Sequence, residues 1–285
     1  MIAGSAATRR SAVVIGAEIG KIAAFLRRDF LVAWNYRLAL LSDMVTLVAQ
    51  TVIFYFVSLM VDERKLPNFG SSQSSYMAFV AVGIALGTLL YVGMGRMASA
   101  LRSEQLTGTL ESLLMTPTSP VTIQLGLVAY DLLYIPIRTA VFLILVRMVF
   151  GVNFHSSGIL PAVAIGIVFL PFVWGLGAAS AAAVLRFRQV TGVIGLGGFA
   201  LTVGSGAYFP LHLLPWWVAA VNRFNPIAMA LDGVRMALLG GASWTRVGHQ
   251  ILPLAAMSML TLAAGLAAFH LAFQKERQAG TLGIY

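Results

Sequence analysis

The chain reads as an all-α integral membrane protein with six transmembrane helices. Three observations carry that reading. Mean hydropathy is +0.87 over the whole length. Only 10% of the 285 residues are charged, where a soluble domain carries about 25%. The apolar residues gather into runs long enough for helices that cross ~30 Å of hydrocarbon. The basic residues behind the net charge of +9 sit between those runs. Topology therefore explains them better than nucleic-acid binding does.

Residues 1–37 form one expected unit, a cytoplasmic tail and an interfacial helix; residues 38–285 form the six-span domain. Residues 1–16 read as a flexible tail. No cleavable leader is expected, because Arg9 and Arg10 are followed only by a short, interrupted apolar stretch. From 17 to 36, Ile19, Ile22, Leu26, Phe30 and Ala33 make one helical face, with Lys21 and Arg28 opposite. Such a helix lies in the interface plane, and Arg27, Arg28 and Arg37 hold it to anionic headgroups.

Span one is expected at 38–61, with Asp43 as its single charge, followed by an external loop. Span two is expected at 76–97, where Gly83 and Gly87 have the spacing that lets another helix approach. Span three, 121–150, contains Asp131, Pro136 and Arg138. Span four, 159–185, contains Pro161 and Pro171. Span five, 190–209, is rich in glycine, and span six covers 251–273. Between the last two, Pro210, Pro215 and Pro226 break the chain into apolar pieces of ~10 to 12 residues, too short to span. These are expected to enter the outer leaflet from outside and turn back. Phe209, Leu213 and Trp216 are candidate seals of an external gate there, while Trp216 and Trp217 also suit the headgroup level.

Residues 96–120, RMASALRSEQLTGTLESLLMTPTSP, are the polar interruption between spans two and three. Leu106, Leu110, Leu113 and Leu114 fall on one stripe of a 3.6-period helix. Thr116-Pro117 and Ser119-Pro120 stop that helix, because the residue before proline is pushed out of the α region. A short amphipathic helix at the membrane surface is expected.

Glu104, Gly108-Thr109-Leu110-Glu111, Leu113-Leu114 and Thr116-Pro117 resemble the "E…GTLE.LL.TP" signature of ABC-2 type transporter permeases. The later "YFPLHLLPWW…NP…ALDGVR" is similar to the pattern that follows the fifth span in that family. The motifs run from Arg96 to Arg235, and the layout agrees over the whole chain. The resemblance implies the permease subunit of an ABC exporter, moving drug- or lipid-like cargo outward. It implies two copies of a separate ATPase and a second copy of the permease, meeting through spans one and five. The helix carrying Arg102, Glu104, Gly108, Thr109, Leu110, Glu111, Leu114 and Pro117 would dock into a cleft of the ATPase. Export of a lipid-linked polysaccharide is the alternative cargo.

Six spans put both termini on one side. Arg9, Arg10, Lys21, Arg27, Arg28, Arg37, Arg96, Arg102, Arg186, Arg188, Lys275 and Arg277 collect there. The other side holds half as many: Arg64, Lys65, Arg147, Arg223, Arg235 and Arg246. The positive-inside rule makes the termini and residues 96–120 cytoplasmic, in a multi-pass protein of the inner or plasma membrane.

Catalytic chemistry is not expected of this chain. Gly16 to Lys21, GAEIGK, misses a phosphate-binding loop by one residue of spacing, and Ile22 stands where Ser or Thr is needed. Any ATPase must then be another chain, and no cofactor is implied. The histidines at 155, 212, 249 and 270 lack metal-ligand spacing, and the absence of cysteine excludes thiolate sites. Asp43, Asp131 and Arg138 are the intramembrane charges, each costing several kcal/mol unless paired or wetted. Asp131 and Arg138 share a helix face but lie ~10 Å apart along the axis. A structural ion pair between helices is favoured over a substrate path or proton relay. An ion-coupled secondary transporter would show inverted repeats, and none is detected. A membrane enzyme would need clustered carboxylates, histidines or a nucleophile, which the isolated acidic residues do not supply.

Overall fold

The computed structural model describes residues 2–61, 75–109, 112, 115–116, 118, 120–187, 190–242 and 244–279. Every regular element among them is helical: α1 (Ile2–Asn35), α2 (Arg37–Ser58), α3 (Tyr76–Leu106), α4 (Pro120–Phe150), α5 (Ile159–Phe187), α6 (Thr191–Gly204), α7 (Trp216–Asn222), α8 (Pro226–Leu238) and α9 (Trp244–Ala279). Short 3-10 turns at Ser156–Gly158 and Leu211–Leu213 lead into α5 and α7.

The central helix is α3, which packs on α2, α4, α5, α6 and α8. Its start is fixed by Ser75, whose Oγ accepts from the Ala78 amide at 3.2 Å, satisfying one of the orphan donors of the first turn. Tyr76, Phe79, Val80, Ile84 and Leu90 are fully buried along it. By contrast, α2 keeps most of its side chains on the outer surface. Such a helix suits a bilayer, where no hydrophobic penalty attaches to the outward face.

Helices α5 and α9 form the most extensive pair. Their backbones touch through glycine. A Cβ on Gly175 would lie 2.4 Å from the Thr261 carbonyl oxygen, and one on Gly265 only 2.0 Å from that of Gly175. Close contact of this kind replaces the hydrophobic drive that lipid removes. Gly83 serves α3 in the same way: its missing Cβ would lie 1.8 Å from the Ala207 carbonyl oxygen. Pro136, Pro171 and Pro253 lie inside α4, α5 and α9, positions that membrane helices tolerate when neighbours satisfy the freed carbonyl.

Among the described residues, five helices are long and apolar enough to cross a membrane: Arg37–Ser58, Tyr76–Leu106, Val128–Phe150, Ser156–Phe187 and Trp244–Gln278. The region expected as span five is helical only over the 14 residues of α6, ~21 Å of rise. Two other expectations are corrected. The tail does not stay irregular, since α1 starts at Ile2; its many alanines and lack of proline favour helix. Leu106 belongs to the end of α3 rather than to a separate surface helix. Nothing in RMASALRSEQL breaks a helix, so α3 runs on past Arg96 and ends only before Gly108, whose φ of +71° needs glycine.

Candidate coupling site

The end of α3 turns into residues 107–109, and polar side chains gather there. The Glu104 Oε1 atom accepts from Arg28 Nη1 at 2.9 Å. Its Oε2 accepts from the Thr109 hydroxyl, just beyond Gly108. Thr107 back-bonds to the Ser103 carbonyl at 2.9 Å and lies 2.8 Å from the Thr109 hydroxyl oxygen. One carboxylate thus ties α1 to the turn at the base of α3. Arg28 also donates to Asp29 at 2.8 Å and covers the Phe25 ring at 5.2 Å. Phe25 in turn sits where a Cβ on Gly126 of α4 would be. Burial pulls the Arg28 guanidinium down, but the hydrogen bonds and charges of Asp29 and Glu104 outweigh it and raise the group above its usual value. The Arg28 guanidinium therefore stays charged across physiological pH.

Two more ion pairs follow along the bundle. Arg96 Nε of α3 donates to both Asp131 oxygens of α4, at 3.1 and 3.2 Å. Arg138 Nη2 of α4 donates to Asp43 Oδ1 of α2 at 2.7 Å, and the Tyr134 hydroxyl donates to Asp43 Oδ2 at 3.3 Å. Asp131 and Arg138 do not pair with each other. Their seven-residue separation leaves ~10 Å between them, and each meets a closer partner on a neighbouring helix. The pairs link α1 to α3, α3 to α4 and α4 to α2, while α2 continues from α1 through Tyr36 alone.

Arg102 is half-buried on α3 and Gly108 forms the turn. Leu110, Glu111, Leu114 and Pro117 lie outside the described residues. Among the described residues, no three His, Cys, Asp or Glu side chains cluster as a metal site would require.

A family model for the ABC-2 type transporter matches residues 20–239, from the second half of α1 to just past α8. The chain belongs to the ABC-2 type transporter family. It is also 27% identical over 201 residues to the linearmycin resistance permease protein LnrN of Bacillus subtilis (strain 168), covering 70% of this chain and 51% of that protein. The chain thus aligns with about half the length of that relative.

In this ABC-2 chain the motif ALDGVR places a second functional-looking side chain, one the sequence reading counted only as an external charge. Arg235 of α8 is 2% exposed. Its Nη2 donates to the carbonyls of Phe79, Gly206 and Ala207, at 3.3, 3.0 and 2.8 Å. The guanidinium lies 3.4 Å over the Phe79 ring. This fixes α8 and the turn after α6 to the start of α3. The available signal was an arginine three residues after Asp232, inside a mostly apolar helical run. Asn225 caps α8 through the Ile227 amide at 3.0 Å, with Pro226 at the first helical position. Phe209, Leu213 and Trp216 are all exposed around this anchored turn, Trp216 most of all at 83%.

Proposed function

We propose that this chain is the membrane subunit of an ATP-driven exporter that moves hydrophobic or amphipathic, drug- or lipid-like molecules outward. The observation that carries the reading is the Arg28–Glu104–Thr109 clamp. It joins the turn beside the family signature to helices that reach across the bundle. A separate ATPase would dock on residues 96–120 from the cytoplasm, and its closure would pull on Glu104. The name of the Bacillus subtilis relative, a linearmycin resistance permease, supports export of a small toxic molecule over a polysaccharide.

Two copies of the chain would form the pathway, each with six crossings. In this reading α6 completes the fifth crossing with the turn that follows it, and α7 and α8 re-enter from outside. The exposed Val193, Leu196 and Phe199 of α6, with Leu41 and Val45 of α2, would face the second copy. Single cysteines along 190–209, in a chain with none of its own, should cross-link at helical spacing. No cross-link there or along α2 removes the pairing. In the same arrangement Phe209, Leu213 and Trp216 would seal the outer end, and Leu213→Ser with Trp216→Ser should raise basal leak; unchanged tightness removes the gate.

The docking reading is tested at Glu111. A carboxylate facing a basic cleft accepts charge-assisted bonds, so Glu111→Arg should abolish substrate-stimulated ATP hydrolysis by the purified complex while leaving insertion intact. Retained stimulation would place the contact elsewhere.

A further inference from the structure

Helices α4 and α5 follow one another in the chain, yet they barely touch; α4 packs on α1, α2 and α3, and α5 on α3, α8 and α9. Between them lies a cavity of about 390 Å³, backed by α3 and α8. Leu86, Leu143 and Ala162 line its depth, and Ile144 and Ile167 are exposed at its rim. The opening is therefore lateral, towards the surface that membrane helices show to lipid. Among the described lining residues, the one side chain with a strong polar group apart from Thr139 is Arg147. It sits in the last turn of α4, exposed, and forms no ion pair among the described residues.

We propose that this cavity binds one acyl chain of an anionic glycerophospholipid, with Arg147 pairing with the phosphate. Three features argue for that occupant. A dry apolar cavity takes an apolar guest, and at ~30 Å³ for each small group it accommodates on the order of a dozen chain carbons. The rim faces the medium that supplies such chains. A guanidinium at the mouth matches a phosphate in a bidentate way, and its position on the last turn of α4 puts it near headgroup depth. A head without a phosphate would leave Arg147 without a partner, and a zwitterionic head brings a compensating ammonium that repels the guanidinium and weakens the pairing. The inference concerns a resident lipid and does not rest on the transport reading.

Gly166 makes the site testable without disturbing the packing. It lines the cavity, and nothing lies within 4 Å of a Cβ built there. Gly166→Leu thus fills the space, and leucine suits a helix better than glycine does. The full chain, extracted in mild detergent, stripped of lipid and reconstituted with equal phosphatidylglycerol and phosphatidylcholine, would be weighed intact by native mass spectrometry. The expected result is one phosphatidylglycerol per chain, held at least tenfold over phosphatidylcholine. Gly166→Leu should lose that lipid at least tenfold. The change Arg147→Gln, at an exposed position, should keep one lipid per chain but lose the preference. Equal retention of both lipids by the unaltered chain overturns the proposal, as does phosphatidylglycerol binding that neither variant changes.

Discussion

The two halves of the bundle are held by different means. In the C-terminal half α5 and α9 meet mainly backbone to backbone through Gly175 and Gly265, with no room for a methyl group, and the Arg186–Glu276 pair at 4.0 Å only adds to that contact at their ends. In the N-terminal half α1, α2, α3 and α4 are joined through Arg28–Glu104, Arg96–Asp131 and Arg138–Asp43, and α2 packs sparsely. Glycine contacts depend on registry at the scale of a few tenths of an ångström. Ion pairs between long side chains tolerate sliding. The difference assigns rigidity to α5 and α9 and movement to α1, α2 and the base of α3, where the family signature begins.

The comparison breaks most visibly at Gly265. Gly265→Val forces a side chain into the Gly175 carbonyl and should destabilise the protein by more than ~3 kcal/mol. Thermal unfolding of the detergent-extracted chain would read this as a large fall in Tm. An unchanged Tm means that α9 slides freely on α5, and the assignment of rigidity fails.

A middle-sized effect is expected at the intramembrane pair. Asp43→Asn leaves the buried Arg138 facing a neutral partner and should cost about 1–3 kcal/mol. Adding Arg138→Met removes the orphaned charge and should restore most of that stability, since buried pairs are often replaceable by apolar groups. A double variant whose loss equals the sum of the two single losses shows that the two residues are not coupled.

The smallest structural effect belongs to Arg28→Gln. The arginine side chain is half-exposed, and such pairs contribute less than ~1 kcal/mol. Tm should barely move. Substrate-stimulated ATP hydrolysis of the complex should drop severalfold, because the turn at Gly108 is no longer tied to α1. Equal loss of stability and activity would make the clamp structural only.

Periodicity and charge spacing revealed the helical class, the order of the long helices and the position of the charged turn. Leu106 shows where that reading stops. Its spacing to Leu110 looks like one helix, but spacing does not record that Gly108 adopts a positive φ between them. The length of α6 was likewise hidden, since an apolar run of twenty residues does not reveal where a glycine-rich helix gives way to a turn. Charge pairing was the least legible. Asp131 and Arg138 stand close in sequence, and their true partners Arg96 and Asp43 lie 35 and 95 residues away. Only packing brings those together. Arg235 was missed for a related reason: its partners are backbone carbonyls, which every residue has and no sequence marks.

Arg235 also bears on the order in which the molecule is made. Phe79, Gly206 and Ala207 emerge from the ribosome before residue 235. Until then two carbonyls in the turn after α6 and one in the first turn of α3 lack this donor. A buried guanidinium is costly without acceptors, so it settles only where those carbonyls are already gathered. Closure of this end of the bundle is therefore a late step of biogenesis, and nascent chains that stop short of α8 carry an unfinished α3.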